Sequence, residues 1–168
     1  MKQNRGFTLI ETLIYLSLLI VLGAIVINSV FSLFSSYSKI RLTQDMETTA
    51  IQVLDKMTRD IHASTAVVDA QSSFNVPNGY VSLSIPNGAG TDTVKYYATS
   101  SQIKVDKNGV YLGDLSLKSV MVNSFDIDYV NGTSTKALKI ELQLQAAVRN
   151  STETLYKTFR TTVQLRDQ

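Results

Sequence analysis

From Leu13 to Phe34 the chain runs for 22 residues without a charged side chain. A helix of roughly 18 to 20 apolar residues crosses a bilayer, so this segment is long enough to span one. Lys2 and Arg5 precede it, and the next cation is Lys39. The positive-inside bias therefore predicts a cytoplasmic start and a C-terminal body on the far side of the cytoplasmic membrane. Lys2-Gln3-Asn4-Arg5-Gly6 leads directly into Phe7-Thr8-Leu9-Ile10-Glu11, so the apolar run opens with one acid. An acid at the centre of a membrane helix costs about 2.5–3.5 kcal/mol on insertion scales, and less near the end of the span. Glu11 is accordingly expected to have a partner.

A cleaved secretory signal shares the basic start, but its apolar core is only about 7–15 residues long and ends in a small-x-small site. Here the run is longer and has no Ala-x-Ala stop; Asn28-Ser29-Val30 is a poor substitute. Gly6-Phe7-Thr8-Leu9-Ile10-Glu11 instead resembles the processing site of type IV prepilins and type II secretion pseudopilins. The resemblance implies that a prepilin peptidase cuts after Gly6 and that the new amine of Phe7 is methylated, with Lys2 and Arg5 setting the topology of the leader. It implies a subunit-assembly role for Glu11, in which the amine of one subunit neutralises the buried carboxylate of its neighbour as apolar helices stack. The implied partners are other pilin or pseudopilin subunits, the prepilin peptidase, an inner-membrane assembly platform, and membrane lipid before assembly. The implied location is a single-pass cytoplasmic-membrane protein with an extracytoplasmic head, and later a cell-surface or periplasmic filament.

Beyond Phe34 the helical pattern continues to about Ser64, and the first proline is Pro77. Ala50, Ile51, Leu54, Met57 and Ile61 recur at spacings of three and four, with Asp55, Lys56, Arg59, Asp60 and His62 between them. That is an amphipathic helix with one face for a core. Gly23, Ser29 and Ser32 are small residues that could loosen the upper helix or admit a close neighbour, although isolated small residues are common in membrane helices and need no functional account.

The remainder reads as sheet. Leu138, Ile140, Leu142 and Leu144 alternate with polar residues at the period of a strand with one wet face. Phe125, Ile127 and Tyr129 alternate with Asp126 and Asp128, and a third long strand carries Leu155, Phe159, Val163 and Leu165. Turns at Asn131-Gly132 and Asn150-Ser151-Thr152-Glu153 favour sequential antiparallel pairing. Shorter strands are expected over Tyr80–Ile85, Thr93–Ala98 and Gln102–Val105, with a turn at Lys107-Asn108-Gly109. Val68 to Asn78, rich in Gln, Ser, Asn, Pro and Gly, reads as a loop with few side chains to order it.

The fold expected is α+β and pilin-like: a leader over 1–6, a transmembrane and polymerisation helix over 7–34, an amphipathic helix packed on the head over 35–65, and an antiparallel β head over 66–168. Within that family, Val53-Leu54-Asp55-Lys56-Met57-Thr58-Arg59-Asp60-Ile61 and Thr162-Val163-Gln164-Leu165-Arg166-Asp167 resemble the helix end and last strand of minor pseudopilin J and the minor pilin W group. The chain has no cysteine. It therefore lacks the C-terminal disulfide loop in which many major pilins resemble one another, and a minor subunit is expected.

Catalytic chemistry is thinly represented, and no enzyme activity and no cofactor are expected. His62 is the only histidine and lies on the polar side of the amphipathic helix. Asp126 and Asp128 share a strand face, and Asp92, Asp106 and Asp114 fall near turns, but no Asp-x-Asp-x-Asp-Gly loop is present, so no metal is assigned. Gly88-Ala89-Gly90 lacks the Lys-Ser/Thr of a phosphate loop and reads as a turn. Asn131-Gly132-Thr133 and Asn150-Ser151-Thr152 match the glycosylation triplet, a short pattern that arises often by chance.

Two rival functions compete with the structural one. A filament-tip adhesin or DNA-binding module would need an aromatic and cationic patch, for which Lys95, Tyr96, Tyr97, Lys104 and Lys107 are the candidates. The 16 Lys and Arg against 14 Asp and Glu become 14 against 14 once Lys2 and Arg5 are removed. That balance does not indicate nucleic acid as a partner, because nonspecific binding needs clustered cations. The other rival is an anchored envelope protein that never polymerises and retains its leader.

Overall fold

The computed structural model describes residues 8–88, 90–132, 136–148 and 152–165. Lys2, Arg5, Gly6 and Phe7 lie outside the described residues, as do parts of the two long-strand turns and both glycosylation triplets. The chain divides into two compact units, Met1–Ile40 and Arg41–Gln168.

One helix, α1, runs over Leu9–Ala63. Thr8 caps its start: its carbonyl accepts from the Glu11 and Thr12 amides at 3.1 and 3.2 Å, and its Oγ1 accepts from the Glu11 amide at 3.4 Å. Thr8 and Glu11 have the Ser/Thr-x-x-Glu spacing of a capping box, in which the acid also lies in the favourable field of the helix N-terminus. The helix is unbroken through Gly23. It stops where the Ser64 amide and hydroxyl both turn back to the Ile61 carbonyl, at 3.2 and 2.7 Å. Thr65 then donates to the Ser84 carbonyl and starts the sheet.

The second unit contains two antiparallel sheets where one was expected. The first is a meander of β1 (Ala66–Val67), β2 (Tyr80–Asn87), β3 (Gly90–Thr99), β4 (Gln102–Lys107) and β5 (Val110–Asp114), in that order. The second joins β6 (Met121–Asn131), β7 (Lys136–Ala147) and β8 (Thr154–Gln164). The expected strands are all present, most of them longer, and β1 and β5 are additions. Backbone bonds stitch the sheets together, with Val122 donating to the Ser101 carbonyl at 2.9 Å and Asn75 to that of Ile127 at 2.9 Å.

Val68–Asn78 is more ordered than its composition implied. It holds a turn of 3-10 helix at Asp69–Gln71 and a bridge from Ser73 to Tyr80. The Asn78 amide donates to Asp126, while its side-chain oxygen accepts from the Phe125 amide. Phe74 stacks against Tyr129 with ring centres 5.3 Å apart. The segment is tied along β6 by the Asn75 amide to the Ile127 carbonyl and by the side chains of Asn78 and Asp126. Gly79 is required beneath it, because an added Cβ would lie 2.5 Å from the Ser73 carbonyl oxygen.

The core of this unit is built from both sheets and one stripe of α1. Met46, Thr49, Ala50, Val53, Met57 and Ile61 are buried on the helix, against Leu83, Tyr96, Ile103, Phe125, Ile127 and the even-numbered residues of β7 from Leu138 to Leu144. Leu54 is half-buried, but Ile51 is exposed, so the stripe runs through Val53 and not Ile51. With apolar residues at 50, 51, 53 and 54, either stripe satisfies the helical period, and the covering sheets select one. Polar clamps fix the helix at its flanks: Lys157 Nζ lies 2.5 Å from Glu47 Oε1, and the Ser119 hydroxyl donates to Asp45 at 3.0 Å. The architecture is α+β and pilin-like, one long N-terminal helix followed by antiparallel sheets.

Candidate assembly surface

From Leu9 to Phe34 the large apolar side chains of α1 are exposed around the whole helix, from Leu9 at 79% to Val30 at 43%. A helix that is apolar all round requires a nonaqueous environment. On insertion scales each Leu, Ile, Val or Phe at the helix centre contributes about 0.3–0.6 kcal/mol, so it takes the apolar residues of the span together to offset the cost of one acid. The helix is long and apolar enough to cross a membrane, which fits membrane anchoring. Its hydroxyls are matched to that setting. Thr12, Ser17, Ser29 and Ser38 donate to the carbonyls of Leu9, Ile14, Ile25 and Phe34 at 2.8–3.0 Å. Such back-bonding satisfies the donor without water.

Glu11 is the only charged side chain from Thr8 to Ser38. It is half-buried in the first turn of α1, and the Tyr15 hydroxyl donates to its Oε1 at 3.4 Å. The Thr8 cap and the Tyr15 contact are features that hydrophobic pattern alone does not reveal, although the Thr-x-x-Glu spacing was legible as a cap signal. Gly23 lies in a groove on this helix between Leu19, Leu22, Val26 and Ile27, with nothing within 4 Å of where a Cβ would be.

The residues considered for a DNA-binding patch do not form one surface. Lys95, Tyr97 and Lys104 point to the outer face of the first sheet, but Tyr96 points into the core, fully buried, and its hydroxyl donates to Asp60. Neighbours along a strand face opposite sides, so the Tyr96-Tyr97 pair cannot share a face. Burial, and then the bond to Asp60, push the Tyr96 phenol well above its ordinary range. Asp60 is also paired with Lys56 at 3.0 Å, so it belongs to the helix–sheet contact and not to the solvated face.

On the outer face the lysines already have partners. Lys95 Nζ lies 4.1 Å over the Tyr80 ring and Lys104 Nζ 5.4 Å over that of Tyr111. Lys107 is in register with the buried Val94 and so belongs to the opposite side of the sheet, at its margin, where it pairs with Asp92 at 2.8 Å. Lys107, and then Asn108, hold the Asp92 carboxyl below the usual carboxylate range. Tyr97 donates to Asp106 and Tyr111 to Asp114, at 3.1 and 2.7 Å. The bond to Asp114 and then desolvation raise the Tyr111 phenol to about 12. On the outer face Lys95 and Lys104 thus stand against Asp106 and Asp114, a balance that gives phosphate no net attraction. Asp128 pairs with Lys139 at 3.1 Å, and among the described residues no three His, Cys, Asp or Glu side chains gather as a metal cluster. His62 is exposed at the end of α1.

No curated protein and no solved structure matches the chain. Its first 27 residues, which include Glu11 and most of the apolar span, match the family model of the prokaryotic N-terminal methylation motif, which is type IV pilin-like.

Proposed function

We propose that this chain is a minor pilin or pseudopilin, a structural subunit of a type IV pilus or type II secretion-like pseudopilus. The single observation that carries the reading is the methylation motif at residues 1–27 joined to an all-round apolar first half of α1, in which Glu11 is the only acid as far as Ser38. The motif points to a structural subunit and not to a catalyst. In this account Lys2 and Arg5 hold the leader in the cytoplasm, prepilin peptidase cuts after Gly6, and Phe7 is methylated. Residues 7–34 form the polymerisation segment, 35–65 the helix under the head, and 66–168 the head. An inner-membrane platform extracts the subunit, and the Phe7 amine of one copy neutralises the Glu11 carboxylate of the next, because an unpaired charge in a dry helix stack is costly. Minor status is supported by the resemblance of residues 53–61 and 162–167 to the J and W groups and by the absence of cysteine. The balanced charge on the outer sheet face favours no separate nucleic-acid reading.

Mass spectrometry of the chain from cells that contain prepilin peptidase tests the processing step. The expected species begins at Phe7 and carries one added methyl group. A species that retains residues 1–6 contradicts the proposal.

A further inference from the structure

We propose that Tyr15 is a positioning residue for Glu11, holding its carboxylate hydrogen-bonded within its own chain while the subunit waits in lipid. This rests on the reading of Glu11 as the assembly acid. The Tyr15 hydroxyl donates to Glu11 Oε1 at 3.4 Å, across the i,i+4 spacing that brings two side chains together on one helix face. Thr12, Ser17 and Ser29 behave differently, their hydroxyls turning back to backbone carbonyls of the preceding turn. A phenol stands too far from the helix axis for that, and in an aliphatic span its O–H needs a side-chain acceptor. Glu11 needs a donor for the same reason. Each residue therefore meets the other's requirement, in a segment whose remaining side chains are mostly Leu and Ile.

The pairing also suits a subunit that must later exchange partners. A phenol supplies a hydrogen bond without a positive charge, so it orients the carboxylate but leaves its charge uncompensated. An incoming ammonium then finds an acid already held in place and still gains the full charge pairing. Tyr15 thereby bridges the interval between insertion and docking.

Infrared spectroscopy of the full-length chain in vesicles of phosphatidylethanolamine and phosphatidylglycerol tests this. The difference between wild type and Glu11→Leu isolates the Glu11 carboxyl band, and the same difference is then taken with Tyr15→Phe in both chains. A shift of the isolated band on Tyr15→Phe is the result expected. An unshifted band overturns the proposal, because a tyrosine that merely fills space leaves the carboxyl spectrum unchanged. Filament incorporation of Glu11→Leu is scored separately in cells. Normal incorporation removes the assembly role of Glu11, whereas the band shift, measured where no filament forms, reports only on Tyr15.

Discussion

Thr49 is fully buried on the core stripe of α1, and its Oγ1 has no hydrogen-bond partner among the described residues. Removing such a group without changing shape avoids its desolvation cost, so Thr49→Val is expected to stabilise the fold by about 1 kcal/mol. Denaturant midpoints of the full-length protein in detergent check this; a lower midpoint contradicts it. Tyr96 gives a pH dependence. Its phenol is neutral in the folded state and its folded pKa is raised, chiefly by burial. Above about pH 10 the unfolded chain loses this proton while the folded one keeps it, so the contribution is complete below that pH and declines as pH rises. Tyr96→Phe should accordingly flatten the alkaline limb of a melting-temperature profile, and an unchanged slope contradicts the assignment.

The strand connections carry the strain. Ser100 and Ser101 close the β3–β4 hairpin with φ of 53° and 60°, between the paired Thr99 and Gln102. Two consecutive positive φ values suit Asn-Gly far better than Ser-Ser. Replacing Ser100 by Asn together with Ser101 by Gly should raise stability by about 0.5–1 kcal/mol, read from the same denaturant curves. Gly79→Ala should act in the opposite direction, because its Cβ meets a backbone oxygen and the Ser73 side of the loop must shift. A clear loss of thermal stability is expected, and wild-type behaviour contradicts the close approach. The strands differed in how plainly the chain announced them. β7 alternates without interruption and was legible, whereas Val110-Tyr111-Leu112 offers three consecutive bulky residues with no period of two. Those three are all more than half exposed, on an edge strand with a register shift against β4, so no core face imposes a pattern on them. Val68–Asn78 looked unanchored because its ties are main-chain bonds and asparagine amides, which periodicity does not register.

For the whole molecule, the two ends of the chain were legible to different depths. The N-terminal span was plain because an unbroken apolar run has few alternative uses. The candidate surface patch was legible only in part: strand alternation already separates Tyr96 from Tyr97, but Tyr96 and its partner Asp60 are 36 positions apart and only the packing of helix on sheet brings them together. What remains of that patch is charge-balanced, so the purified full-length protein should show no salt-sensitive DNA affinity across a salt series; a steep salt slope contradicts that expectation. The account depends most on Glu11 receiving a positive partner from another copy. Its most direct test is the fraction of chain recovered in sheared filaments when Glu11→Gln or Glu11→Ala replaces wild type at equal membrane levels. Leaving a neighbour's buried amine unpaired costs about 3–5 kcal/mol, so incorporation is expected to fall by at least about tenfold. Incorporation at the wild-type level would contradict the account.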